Sequence, residues 1–147
     1  MQITDYERVW IEGLNRGDAS VADDVFASEG VIHINGSPDP NLSVEGFKQM
    51  VSGLLSAFPD MRFTIEDQIV GGDKVATRWS AEGTNNGPFG PVPATGRRVR
   101  INGLVLDRVA GGKGCRTLGA MGSDEHDATA RTCLKHLSFN RLTTSLR

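Results

Sequence analysis

The chain has little of what marks several specialised classes of protein. It holds only two cysteines, Cys115 and Cys133, both in the last quarter of its 147 residues, so no disulfide framework organises it. Basic residues do not dominate: 16 Lys and Arg against 18 Asp and Glu leave a net charge of -2, which sets up no field to attract nucleic acid or an acidic membrane. No stretch approaches the ~20 apolar residues of a membrane span, and the opening MQITDYERVW lacks the apolar run of a signal peptide. The expectation is a cytoplasmic protein with its cysteines reduced and with neither nucleic acid nor membrane as partner. Of Cys115, His126, Cys133 and His136, only Cys133 and His136 lie at a short spacing, so no metal site is expected. No Gly-rich loop stands between a strand and a helix, which removes a phosphate cradle.

What is present suffices for one domain with a core burying roughly two thirds of the unfolded surface. Thr4 followed by Glu7 matches a capping box, and Tyr6, Val9, Trp10 and Leu14 recur at helical spacing before Asn15-Arg16-Gly17 stops the helix. Asp18 caps a short second helix with Val21, Val25 and Phe26 inward. Val31 to Ile34 reads as a strand entering the turn Asn35-Gly36-Ser37-Pro38. Ser43 caps a third helix whose Phe47, Met50, Val51, Leu54, Leu55 and Phe58 form an apolar stripe, closed by Pro59. Met61, Phe63 and Ile65 then alternate with polar residues, Gly71-Gly72-Asp73 turns the chain, and strands follow from Lys74 to about Glu82 and from Val99 to Val109. Helices first and strands last give an α+β class, with helices on one face of a curved antiparallel sheet.

The helix-helix-strand-helix opening, Phe58-Pro59-Asp60, the strand VATRW, the loop from Gly83-Thr84 through Gly87-Pro88-Phe89 to Pro93-Ala94-Thr95-Gly96-Arg97, and the turn Gly112-Lys113 together resemble the SnoaL-like polyketide cyclase family. That family belongs to the nuclear transport factor 2-like superfamily. The resemblance covers about residues 3–113 and implies a cone-shaped domain, a pocket on the concave side of the sheet and a homodimer through the convex side. It also implies a lyase or isomerase doing acid/base chemistry on a carbonyl compound without metal or cofactor. The competing class is a ligand-binding domain without catalysis.

The resemblance stops at Lys113. Relatives continue with a Trp-rich acidic strand that completes the sheet and supplies the catalytic carboxylate, whereas this chain reads GCRTLGAMGS. Read one base later, the codons from Gly114 onward can encode Val-Val-Glu-Arg-Trp-Glu-Gln-Trp-Asp-Gln, the second Trp being forced by Met121 before Gly122. Residues 1–113 are therefore expected to form the domain and 114–147 an atypical, shifted-frame tail, with the closing strand lost and the dimer in doubt.

Alternation places Ala76, Arg78 and Ser80 on one face and Val75, Thr77, Trp79 and Ala81 on the other. With the first set inward, Arg78 would polarise a carbonyl or hold a carboxylate, or else pair with Asp60 or Glu66. By resemblance to epoxide hydrolases of the superfamily, Arg78 matches their Arg and Asn35 their Asn, while Ser80 and His33 replace an Asp and a Tyr. That mechanism is not supported. His33 is the expected acid or base and Asn102 a donor to an enolate oxygen. Tyr6, Trp10, Met50 and Leu54 are expected to line the ligand pocket. Phe89, in a Gly/Pro-rich loop suited to the pocket rim, either caps the ligand or pins the loop.

Overall fold

The computed structural model describes residues 2–3, 5–34 and 41–123. Three helices lie against one six-stranded sheet. Helix α1 is Tyr6–Asn15, α2 is the single turn Ala22–Val25 after a 3-10 turn at Ala19–Val21, and α3 is Val44–Ala57. The strands are β1 Phe26–Ile34, β2 Leu42–Ser43, β3 Arg62–Gly71, β4 Lys74–Thr84, β5 Arg98–Ala110 and β6 Lys113–Ser123, in the order β2-β1-β6-β5-β4-β3.

The local chemistry explains most of these boundaries. Asp18 accepts from the Ser20 amide at 3.0 Å to start the 3-10 turn, and Ser43 Oγ accepts from the Gly46 amide at 3.1 Å to cap α3. Gly72, at φ 61°, makes the β3–β4 turn, and Gly111 and Gly112, at 59° and 78°, make the β5–β6 turn, a backbone region that other residues resist. Thr4 lies outside the described residues. Glu7 does not reach back to cap α1, because it is buried under the helix. Asn15, read as a stop, also clamps the helix end to β3: its amide donates to the Phe63 carbonyl at 2.9 Å and its oxygen accepts from the Phe63 amide at 2.7 Å.

The sheet corrects one expectation. Lys113–Ser123 is a full strand, antiparallel to β5 over Ile101↔Ser123 to Ala110↔Lys113 and parallel to β1 from Phe26↔Gly114 to Ile34↔Gly119. The closing strand is present although its sequence departs from the family pattern. Small and β-tolerant residues permit this, since a strand held on both sides gains its hydrogen bonds from the backbone whatever its side chains. The parallel β1–β6 pair is the exception in an otherwise antiparallel sheet. Among the described residues no helix is long and apolar enough to cross a membrane.

Candidate active site

The two faces of the sheet are set by glycine and tryptophan. A Cβ on Gly103 would stand 2.5 Å from Cζ2 of Trp79, so the indole of Trp79 lies across the β5 backbone on the side that carries the helices. Ladder pairing then puts Thr77 opposite Val105, Val75 opposite Asp107, and Asp107 opposite Thr117 on that same concave side. Between this surface and α1 and α3 lies a cavity of about 110 Å³. Its walls include Trp10, Phe26, Phe47, Met50, Leu54, Phe63, Trp79 and Ile101. The Trp10 ring stands 5.5 Å from both Phe26 and Phe47, and Phe63 is 5.7 Å from Trp79, spacings at which aromatic edges and faces attract.

One end of this apolar space is acidic. Glu7 and Asp107 line it together with Thr117, and all three are buried, Asp107 completely. The Thr117 hydroxyl donates to Asp107 Oδ1. Burial pushes the Glu7 carboxyl well above the ordinary carboxylate range, and its contact with Asp107 adds to the rise. Burial also raises Asp107, but the neighbouring Glu7, the Thr117 hydroxyl and the nearby Tyr6 hydroxyl oppose the rise. Two touching carboxyls in an apolar site cannot both ionise, so the pair shares a proton. Burial and Asp107 both push Glu7 up, whereas neighbours of Asp107 oppose the rise there, and the titration belongs to the pair. The Asp107 Oδ2 atom has no hydrogen-bond partner among the described residues. The Tyr6 hydroxyl lies beside Asp107 and Thr117 without good hydrogen-bonding geometry to either, and burial pushes its pKa up.

The residues singled out from sequence divide between the two faces. Trp10, Met50 and Leu54 line the cavity; Tyr6 is wholly buried behind its acidic end. Arg78 is on the other side, correcting the inward placement: it is exposed, opposite Leu104 in the ladder, and makes no ion pair within 4 Å among the described residues. Ser80 and Asn102, paired with each other, are likewise convex; Ser80 donates to Glu66 at 2.5 Å. The reason is bulk: the Val75, Thr77, Trp79 and Ala81 set is the more apolar, and burying it under the helices removes more surface from water. His33 alternates with the buried Ile32 and Ile34 and so faces away from the cavity, opposite Leu118. Asn35 and the Cys133–His136 pair lie outside the described residues. Phe89 is buried in the loop, its amide donating to the Val92 carbonyl at 2.8 Å, and does not line the cavity. The loop is fastened to α3, since the amides of Asn86 and Gly87 both donate to the Ala57 carbonyl at 3.1 Å. Among the described residues no cluster of His, Cys, Asp or Glu could hold a metal ion.

Glu7, Asp107 and Thr117 were not singled out from sequence, yet two of them had a signal. Glu7 shares a helical stripe with Trp10, Ile11 and Leu14, and Asp107 interrupts the inward alternation Ile101, Gly103, Val105, Val109. Each is a charge in an apolar register.

Three helices on a six-stranded sheet, with an acid-ended apolar cavity between them, define an α+β domain. A model of the SnoaL-like polyketide cyclase family matches residues 4–114, and the chain belongs to that family. It is similar to solved structures over nearly its whole length. IdmH from Streptomyces antibioticus, a candidate polyketide cyclase, is 30% identical with a TM-score of 0.74, covering 93% of this chain and 99% of that one. AclR from Streptomyces galilaeus, a candidate hydroxylase, is 22% identical with a TM-score of 0.73, covering 88% and 82%. A SnoaL-like protein from Jannaschia shares the fold at 15% identity, with a TM-score of 0.73 over 93% and 91%. No curated protein matches the chain.

Proposed function

We propose that the chain catalyses a proton shift next to a carbonyl group, the chemistry of a cyclase or isomerase, with Asp107 as base and Glu7 as acid. The observation that carries this reading is the pair of buried carboxyls, Glu7 and Asp107, at the end of an apolar cavity. In such a step the Asp107 carboxylate takes a proton from the carbon beside the carbonyl. The bonding electrons move into an enolate, and the Glu7 proton meets the enolate oxygen. Asp107 then returns its proton to carbon, at the same or a conjugate position, while the enol O–H proton goes back to Glu7 and the carbonyl re-forms, which restores both groups. The pair supplies both partners that such a reaction requires.

A homodimer through the convex face accompanies this reading. Leu104 is 56% exposed there, Leu106 39%, Leu118 41% and Ile69 68%, an apolar surface that a second copy would cover.

Hydrogen–deuterium exchange tests the chemistry directly. The acetyl methyl protons of 2'-hydroxyacetophenone in deuterated buffer should exchange faster with the protein than without it, and Asp107→Asn should lower that acceleration by about a hundredfold or more. A probe that binds with no acceleration would identify a ligand-binding domain and refute the catalytic assignment.

A further inference from the structure

The walls of the cavity specify its occupant more narrowly than a carbonyl compound. We infer that the site takes a single uncharged ring bearing a hydroxyl, carbonyl or amide group and rejects the corresponding carboxylate. This deepens the proposed function by naming the ligand class of the same cavity.

Charge gives the first argument. Among the described residues, Glu7 and Asp107 are the only ionisable side chains lining the cavity, and no Lys, Arg or His joins them. A ligand carboxylate entering this end would shed water, meet no cation, and face the negative charge that the pair already holds. Arg78, the cation that could have held an acid, stands on the opposite face of the sheet. An uncharged polar group meets neither penalty. It can accept from the Glu7 carboxyl or donate to Asp107, as a hydroxyl, ketone or primary amide does.

Size gives the second. The cavity, about 110 Å³, is of the same order as the roughly 150 Å³ apolar cavity that accommodates one benzene molecule, so its depth suits one ring with the polar group at the acidic end. The indoles of Trp10 and Trp79, with Phe47 and Phe63, provide flat apolar walls for that ring.

Both tryptophans of the chain line the cavity, so their indole N–H signals report its occupancy without interference. Benzamide and benzoate, nearly identical in shape and different in charge, should be titrated into the wild-type protein at pH 7, with 2'-hydroxyacetophenone as a further neutral ring. The expected result is that benzamide and 2'-hydroxyacetophenone shift both indole signals, while benzoate does so at least tenfold more weakly. Benzoate matching benzamide at those signals would overturn the charge selection while leaving the cavity as a ligand site. No indole shift with any ring would overturn the cavity as the site, and the proposed function with it. The Glu7→Gln/Asp107→Asn variant, if its amide spectrum remains folded, should bring benzoate to within a few fold of benzamide. A folded double variant that still rejects benzoate would assign the selection to something other than the carboxyls and refute the inference.

Discussion

Replacing Gly114 by valine is the sharpest perturbation of the closing strand. A Cβ at that position would lie 2.1 Å from the Tyr6 hydroxyl oxygen and 2.7 Å from its Cζ. Comfortable contacts are about 3.5 Å, so the ring would have to retreat by more than about 1 Å. Tyr6 has nowhere to go: it is fully buried and meets Phe26 edge to face, 5.8 Å between ring centres at 86°. Overpacking of this kind costs about 1–3 kcal/mol, and the severity of the overlap puts Gly114→Val at the upper end. Better strand propensity returns less than about 1 kcal/mol, leaving a net loss of about 2 kcal/mol. In urea unfolding that loss lowers the midpoint by about 1 M at an m-value of about 2 kcal/mol/M. Tyr6→Phe removes the nearest atom, so the double variant should recover part of the loss, a coupling of about 0.5–3 kcal/mol in the mutant cycle. Wild-type stability for Gly114→Val would refute the packing of β6 against α1.

The carboxyl pair makes stability depend on pH with a definite sign. Glu7 holds its proton to higher pH in the folded chain than in the unfolded one, so the stability it contributes is complete below about pH 4.3 and is lost as pH rises toward its folded value. Glu7→Gln cannot lose a proton, so its stability relative to wild type, read from urea unfolding, should climb between pH 5 and 8 by up to about 1.4 kcal/mol for each step of one in pH; parallel stability–pH curves would refute the proton-sharing pair. On the convex face, Leu106→Lys together with Leu118→Lys should weaken self-association at least tenfold in sedimentation equilibrium while leaving the cavity-bound benzamide signals in place. An unchanged association state would show that this face is not the interface.

Sequence made the scaffold legible and the site largely illegible, for a reason that can be located. Helix stripes and strand alternation report which residues are buried as a set, so α1, α3 and the β3–β4–β5 meander stand near their expected bounds. Alternation does not say which of two sets faces inward. For β4 that choice turned on bulk, and giving the inward place to Arg78 and Ser80 carried the presumed chemistry to the wrong side of the sheet. The same rule applied to β5 finds Asp107, because a charge among Ile101, Val105 and Val109 is anomalous wherever the set points. Glu7 was hidden by a competing local pattern: three residues after Thr4 it looks like a capping carboxylate, and only the position of the sheet shows that it turns inward.

Thr117 was beyond the reach of either rule, since it lies past Gly114, where the family pattern ends. Its contribution nevertheless follows from register. Once Phe26 pairs with Gly114 and Ile32 with Thr117 on one side, and Asp107 pairs with Thr117 on the other, the hydroxyl stands beside the Asp107 carboxylate and donates to it. A donor to the charged form favours ionisation, so Thr117 opposes the rise that burial imposes on Asp107. Gly114 clears room for Tyr6 on the same strand, and Gly119 leaves space beside Ile34 at the cavity wall. The strand with the least recognisable sequence thus supplies a group that polarises the pair and a gap that lets α1 close over it. Thr117 and Gly119 belong to the cavity wall as well as to the sheet.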